Sequence, residues 1–215
     1  MTTAVDTPDF QLELALHLQG YRFIAGLDEA GRGAWAGPVV AAAVILPLDR
    51  SDLADVLRGV RDSKQLTPAR RAVLFEVIRR VALAVAVGVS APCLIDRQGI
   101  LPATRRAMLR ALARLACSPD YLILDHLRLP ALALPQFSAA RADARFLSVA
   151  AASIIAKVTR DRLMTLLDLR YPGYGLAQHK GYGTPSHRAA LSRLGASPIH
   201  RRSFAPVRQA GPLNT

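Results

Sequence analysis

Several features that would assign the chain to common protein classes are missing from its sequence. Its 215 residues include only 2 cysteines, Cys93 and Cys117, and they form neither a CxxC pair nor a zinc-ligand set. The longest apolar runs, Val39–Leu46 and Val81–Val89, are far shorter than the roughly 18–20 residues that span a bilayer. The first residues lack the basic and apolar regions of a signal peptide. These absences predict a cytoplasmic protein without membrane contact.

Acidic residues are scarce in the second part of the chain. Residues 101–215 contain 17 Lys and Arg against 5 Asp and no Glu, whereas residues 1–100 contain 11 residues of each sign. The formal net charge of +12 therefore arises entirely after residue 100. A hydrophobic content of 51% argues against a disordered chain. Together these values indicate a globular protein with a polyanionic partner, usually a nucleic acid.

Hydrophobic periodicity predicts an α/β fold. Strands are expected at Arg22–Leu27, Val39–Leu46, Val81–Ser90 and Tyr121–Leu124, and helices over about 68–80, 104–117, 145–171 and 185–194. This order implies a mixed sheet of about five strands flanked by helices. The first two strands should be antiparallel, because the short connection Gly33–Pro38 leaves no room for a crossover.

The same pattern predicts one domain. We expect a short lead-in over residues 1–20, a single domain over 21–207 that ends in a C-terminal helical segment, and a flexible tail over 208–215. The length agrees with a prior of roughly 150 residues per domain.

Carboxylates end two of the predicted strands. Asp28 and Glu29 follow the first strand and Asp125 follows the fourth, at the sheet edge where ligand sites of α/β proteins lie. Asp143 precedes the long helix, whose N-terminus favours negative charge. Four acids without a His or Cys cluster suggest a hard cation, Mg²⁺ or Mn²⁺, and two such ions could clamp a phosphodiester. The alternative is that these acids are turn residues and a helix cap.

Gly31, Arg32 and Gly33 form a glycine-rich turn beside the first two acids. Glycine lets the backbone approach a ligand closely, so this segment could read a ribose 2′-hydroxyl while Arg32 contacts a phosphate. A plain hairpin loop and a dinucleotide-binding fingerprint are the alternatives. The fingerprint must open a helix, whereas Pro38 and the β-branched residues after it favour a strand.

Long strings of this sequence resemble the bacterial ribonuclease HII family. The matching segments are GLDEAGRG (Gly26–Gly33), Gly37–Ala43, Asp62–Thr67, Ser148–Asp161, Gln178–Thr184 and Ser197–Phe204. They occur in the family's order and cover roughly residues 21–207. Two positions depart from the family's pattern, since Ala34-Trp35 replaces the usual Pro-Leu and His126 follows Asp125 where a small residue is usual.

The resemblance implies a ribonuclease H-like fold and an endoribonuclease. Such an enzyme hydrolyses the RNA strand of RNA–DNA hybrids and nicks 5′ of single ribonucleotides embedded in duplex DNA, leaving 3′-hydroxyl and 5′-phosphate ends. It further implies Mn²⁺ or Mg²⁺ as cofactor, with two ions in the substrate complex, and a monomer. A non-catalytic basic RNA-binding protein and a dinucleotide-dependent enzyme remain as other classes.

The resemblance also assigns residues by position. The catalytic and metal-binding acids are Asp28, Glu29, Asp125 and Asp143. The residues implied to contact nucleic acid are Gly31, Arg32 and Gly33 at the 2′-hydroxyl, Ser63, Lys64 and Lys180 near phosphates, and Tyr182 on the sugar at the RNA-to-DNA junction.

Overall fold

The computed structural model describes residues 7–209. Its strands are β1 Ile24–Ala30, β2 Val39–Ile45, β3 Ala84–Ser90, β4 Tyr121–Asp125 and β5 Gln136–Ala139. Its α-helices are α1 Gln11–Leu18, α2 Leu53–Val56, α3 Pro68–Val81, α4 Pro92–Gln98, α5 Ile100–Leu112, α6 Leu147–Arg170, α7 Leu176–His179, α8 Pro185–Leu194 and α9 Ala205–Arg208. Two short 3₁₀ turns lie at Ser63–Gln65 and Ala142–Ala144.

The five strands form one mixed sheet in the order β3-β2-β1-β4-β5. β2 pairs antiparallel with both β1 and β3, whereas β4 runs parallel to β1 and β5 runs parallel to β4. The prediction of a mixed five-stranded sheet with antiparallel first strands is therefore confirmed. The parallel pairing places the carboxyl ends of β1 and β4 at the same edge of the sheet.

Helices cover both faces of the sheet. Alternate residues of β2 face opposite sides, with Val44 in a core shared with α3 and α6 and Ile45 in a core shared with α5. On each face of the sheet, a glycine lies where a helix packs closest to a strand. A Cβ at Gly26 would lie 2.3 Å from the carbonyl carbon of Ser148 on α6, and one at Gly88 would lie 1.9 Å from the carbonyl oxygen of Ala107 on α5.

Two arginines, Arg110 of α5 and Arg114 just after this helix, cover the exposed edge of the sheet. β3 is an edge strand, and its carbonyl groups at Val87 and Val89 accept hydrogen bonds from Arg114 and Arg110, respectively. Unpaired edge groups can recruit other strands, so these contacts protect the edge. Both cations are consequently held at the sheet.

Some element bounds differ from the sequence prediction. α5 ends at Leu112, whereas the prediction extended it to 117. The prediction was too long because Leu115 and Cys117 continue the apolar spacing and pack against the core, although their backbone is not helical. β5 was not predicted, since its four residues are all only partly buried and carry no periodic signal. The predicted long and last helices agree with α6 and α8 to within about two residues at each end.

The predicted C-terminal helical segment is present as α7, α8 and α9, which pack with the end of α6 around Met164 and Leu191. Residues 1–6 of the predicted lead-in and 210–215 of the predicted tail lie outside the described residues. The domain bounds stay predictions. Within residues 7–209, no helix is both long and apolar enough to cross a membrane.

Candidate active site

Asp28 and Asp125 come together because their strands are parallel neighbours. Leu27 of β1 is paired with Leu124 of β4, so the next residue of each strand is an aspartate at the same sheet edge. Asp28 is 4% exposed, and its Oδ1 accepts a 2.7 Å hydrogen bond from the Glu29 backbone N–H. Strand pairing thus brings three carboxylates into one small region.

Asp143 joins this region through a backbone contact. The Ala142 N–H donates a 2.8 Å hydrogen bond to Oδ1 of Asp125, which fixes the 3₁₀ turn before α6 at the end of β4. Asp143 follows directly and is 4% exposed. The prediction that a carboxylate precedes the long helix is confirmed, and the turn directs it toward the other acids.

Lys64 is the cation at the edge of the acidic cluster. Its Nζ lies 3.5 Å from Oδ2 of Asp143 and 3.7 Å from Oδ1 of Asp62, although the side chain is 78% exposed. Burial works to lower the pKa of Lys64, but the charges of Asp62, Asp143 and Asp28 raise it overall. Lys64 therefore stays protonated and partly neutralises the acids.

Burial and mutual repulsion disfavour the ionised acids. Desolvation, followed by the charges of Glu29 and Asp125, raises the pKa of Asp28 well above its ordinary value. Desolvation also raises the pKa of Glu29, although Arg32 lies 3.2 Å away and opposes the shift. Asp143 has a raised pKa, from desolvation and then from Asp62. A cation placed here would lower the energy of the charged forms.

The donor set fits a hard divalent cation. Oε2 of Glu29 is buried and has no hydrogen-bond partner among the described residues, so an acceptor oxygen is left for another ligand. Carboxylate oxygens are what Mg²⁺ and Mn²⁺ prefer. No three His, Cys, Asp or Glu side chains of residues 7–209 are already arranged around one ion position. Asp28, Glu29 and Asp125 each accept a hydrogen bond from a protein donor through one oxygen, which leaves their other oxygens for a ligand.

Asp28, Glu29 and Asp125 line a cleft of about 520 Å³. Its lining residues are Asp28, Glu29, Ala30, Gly31, Arg32, Gly33, Ser63, Lys64, Arg71, Asp125, Ser153, Lys157 and Tyr182. Nine of the eleven predicted site residues therefore line this cleft, and Asp143 and Lys180 do not. Asp143 adjoins the cleft through its ion pair with Lys64.

The side chain of Lys180 lies outside the cleft. Its Nζ donates to Oγ1 of Thr165 at 2.9 Å and to the carbonyl oxygen of Ala177 at 2.6 Å, and the residue lines a separate groove beside α6. Its backbone has a positive φ of 52°, and its carbonyl oxygen accepts from Arg160. These contacts fix Lys180 against α6 and α7 in this structure.

Three polar residues of the cleft were missed by sequence reasoning. Ser153 and Lys157 lie four residues apart on α6, a spacing that places both on one helix face, and both fall within the string Ser148–Asp161. That spacing was the available signal. Arg71 carries no such signal, since only the tertiary position of α3 brings it to the cleft.

The glycine turn leads directly into β2 and not into a helix. The dinucleotide fingerprint, which needs a helix there, is therefore excluded. Trp35 packs against the loop after α7, where a Cβ at Gly183 would lie 2.2 Å from its ring. His126 is exposed, with a positive φ of 57°.

Comparisons with known proteins identify the family. The ribonuclease HII family model matches residues 25–207. A ribonuclease HII of Chloroflexus aurantiacus is 55% identical over 203 residues, which span 94% of this chain and 96% of that protein.

Solved structures of ribonucleases H2 and HIII share this fold. The ribonuclease H2 from Pyrococcus horikoshii OT3 has a TM-score of 0.74 at 30% identity, covering 88% of this chain and 97% of that one. Bst-RNase HIII in complex with Mn²⁺ has a TM-score of 0.69 at 26% identity, covering 92% and 71%. The chain belongs to the ribonuclease HII family and is a metal-dependent endonuclease of the ribonuclease H type.

Proposed function

We propose that this endonuclease nicks duplex DNA on the 5′ side of a single embedded ribonucleotide and also cuts the RNA strand of RNA–DNA hybrids. The products carry 3′-hydroxyl and 5′-phosphate ends. The observation that supports this proposal is one cleft in which the buried Asp28 and the partly buried Glu29 and Asp125 lie beside a glycine turn that is exposed at Gly33. The carboxylates suit the chemistry, and the turn suits recognition of a single 2′-hydroxyl.

Asp28, Glu29, Asp125 and Asp143 would hold two Mn²⁺ or Mg²⁺ ions when substrate is bound. Such ions would activate the attacking water and stabilise the departing 3′ oxygen. The raised pKa values of Asp28, Glu29 and Asp143 and the unpartnered Oε2 of Glu29 support this assignment. In the absence of substrate, Arg32 and Lys64 supply the nearby positive charge.

Basic residues at the cleft would hold the nucleic-acid backbone. Lys64, Arg71 and Lys157 line the cleft together with Arg32 and the carboxylates. Phosphates could therefore be bound by these cations and not by the carboxylates. Ser63, whose hydroxyl accepts from Ser153 at 2.9 Å, is held at the same place. Lys180 would have to leave its contacts with α6 and α7 to take part.

Tyr182 would pack on the sugar at the RNA-to-DNA junction. Its ring lines the cleft, with Nζ of Lys157 5.6 Å and Cζ of Arg160 5.3 Å from the ring centroid. These cations favour a fixed aromatic face.

The decisive experiment uses a DNA duplex that carries one ribonucleotide, with Mn²⁺ or Mg²⁺. The expected result is a single nick 5′ of the ribonucleotide and no cleavage of the matched all-DNA duplex. A non-catalytic RNA-binding protein would bind both duplexes without cutting. Absence of the nick with folded protein would refute the nicking activity, and cleavage of long hybrids alone would then limit the function to hybrids. A monomeric state and a cytoplasmic location stay predictions, which gel filtration and cell fractionation would test.

A further inference from the structure

Arg160 and Arg201 are two guanidinium groups buried beneath the glycine turn. Both residues are 0% exposed. No ion pair within the described part of the chain includes either of them. A buried charge without a carboxylate partner is destabilising, so such a pair calls for a reason other than stability.

Their hydrogen bonds go to backbone carbonyl groups around the turn. Arg160 donates to the carbonyl oxygens of Pro38 at 3.0 Å, Ala36 at 3.1 Å and Lys180 at 2.9 Å. It thereby joins the segment before β2 to the loop that carries Tyr182.

Arg201 contacts the turn and the segment that follows it. Its Nε donates to the carbonyl oxygen of Gly37 at 3.0 Å, and its Nη1 donates to that of Arg32 at 2.8 Å. Burial lowers the pKa of Arg201 to about 9, so it keeps its charge at neutral pH.

The turn is also packed directly on Arg160. A Cβ at Gly31 would lie 1.9 Å from Nε of Arg160, and Gly31 has a positive φ of 94°. Only glycine can adopt this positive φ easily and also leave room for the guanidinium group. The planar guanidinium groups of Arg160 and Arg201 therefore hold the backbone of residues 31–33 in place from the buried side.

The bond to Arg201 sets the direction of the next amide. Within a trans peptide unit the C=O and N–H groups point in opposite directions, and residues 7–209 contain no cis peptide bond. Since the Arg32 carbonyl points inward to Arg201, the Gly33 N–H points outward. Gly33 is exposed and lines the cleft, and the structure gives its N–H no acceptor among the described residues.

We propose that Arg201 is a positioning residue for ribose recognition, holding the Arg32 carbonyl so that the Gly33 N–H is presented to the 2′-hydroxyl oxygen of the substrate. Arg160 supports the same turn through Gly31 and the Tyr182 loop. This inference rests on the proposed function of the glycine turn. Arg201 acts through the backbone and touches no reacting atom.

The test compares Arg201→Lys with Arg202→Lys. Lysine keeps the charge but cannot donate to Arg32 and Gly37 in the planar geometry of arginine. Arg202 is the adjacent, exposed residue, so it is a matched control. Binding is measured in EDTA for a duplex with one ribonucleotide and for the same duplex in all-DNA form.

The expected result is that Arg201→Lys lowers the ratio of the two affinities at least fivefold while all-DNA binding stays within about twofold. Arg202→Lys should keep the wild-type ratio. An unchanged ratio in a folded Arg201→Lys variant, or an equal loss of both affinities, would overturn the inference. If wild-type protein itself does not distinguish the two duplexes, the proposed function fails instead.

A second measurement does not depend on folding of the variant. In ¹⁵N-labelled wild-type protein, the amide resonance of Gly33 should shift when the ribonucleotide duplex is added and stay in place with the all-DNA duplex. Equal shifts with both duplexes would show that this N–H does not read the 2′-hydroxyl.

Discussion

The Nε2 atoms of His187 and His200 lie 3.1 Å apart in the buried region between α8 and the C-terminal loop. The Ser197 N–H donates to Nδ1 of His200, so Nε2 of His200 carries the proton and donates to His187. Nδ1 of His187 can then donate to the carbonyl oxygen of Tyr182 at 3.0 Å. Two neutral imidazoles therefore link Ser197 to the loop that carries Tyr182.

This pair should make the fold sensitive to acid. Burial, followed by the charge of His187, lowers the pKa of His200 to about 4 from an ordinary 6.5. The unfolded chain takes up a proton near pH 6.5 and the folded one only near pH 4, so this stability is present above pH 6.5 and is lost as pH falls toward 4. The loss should approach about 3 kcal/mol.

Urea unfolding at several pH values checks this against His200→Gln. The glutamine amide can keep the donor to His187 but does not titrate, so its free energy of unfolding should fall less between pH 6.5 and 4. Parallel pH profiles for the two proteins would contradict the assignment. Comparing the two proteins cancels the opposing effect of the carboxyl groups with raised pKa values.

The donor to Tyr182 can be tested with two substitutions at His187. Asparagine places an amide N–H near the position of Nδ1, whereas glutamine reaches the position of Nε2. We expect His187→Asn to keep a near wild-type KM and His187→Gln to raise KM by about five- to tenfold, the effect of one lost hydrogen bond. Steady-state cleavage of the ribonucleotide duplex measures both, and equal KM values in the two variants would exclude the role.

Asp28→Asn should separate stability from activity. The raised pKa of Asp28 means that its favourable contribution is present below pH 3.8 and is lost as pH rises through the folded-state pKa, so the buried carboxyl group destabilises the fold at higher pH. In EDTA, the free energy of unfolding of the variant should be higher than that of the wild type by on the order of 1 kcal/mol. Its kcat should be lower by at least about a hundredfold.

Thermal unfolding with and without Mn²⁺ completes that experiment. Wild-type protein should gain more stability from Mn²⁺ than Asp28→Asn does, because the variant holds the ion less well. Asp55→Asn is the matched control, since Asp55 is 73% exposed and its ion pair is with the exposed Arg58. A wild-type response to Mn²⁺ in Asp28→Asn would rule out Asp28 as a metal ligand.

Two glycine-to-alanine substitutions should behave in opposite ways. A Cβ at Gly33 meets no atom within 4 Å, so Gly33→Ala should leave the unfolding midpoint unchanged and lower cleavage of the ribonucleotide duplex by about tenfold or more. A Cβ at Gly26 meets the backbone of Ser148 at 2.3 Å, so Gly26→Ala should cost about 3 kcal/mol or more. Differential scanning calorimetry and a nicking assay distinguish them. Full activity in Gly33→Ala would contradict the role of the turn.

The salt dependence of binding should identify which cations contact phosphates. Lys64→Gln should reduce the slope of log affinity against log salt by about 1, because one phosphate contact is lost. Arg114→Gln should leave the slope unchanged, since Arg114 is held at the edge of β3. Fluorescence anisotropy from low to moderate salt gives both slopes. An equal reduction in the two variants would indicate a diffuse charge effect.

Much of the fold could be predicted from local sequence. The strands around Leu27, Val44 and Leu124 follow from apolar runs that end in acids or turn residues, and α3 follows from Thr67, whose hydroxyl caps the helix before Pro68. β5 could not be predicted, because its register comes from pairing with β4 rather than from its own residues. The end of α5 was misplaced for a related reason, since Leu115 packs on the core without being helical.

The sequence by itself determined the chemistry at the cleft. Asp28, Glu29 and Asp125 lie at strand ends, and their residue types and the strings around them identify the family. Tertiary structure alone decided which buried residues hold the glycine turn beside these acids. Arg201 and Arg202 are identical neighbours in sequence, yet one is completely buried under the glycine turn and the other is exposed. The difference arises because the carbonyl groups of Arg32 and Gly37, distant along the chain, fold onto one of them, and local sequence does not encode that contact.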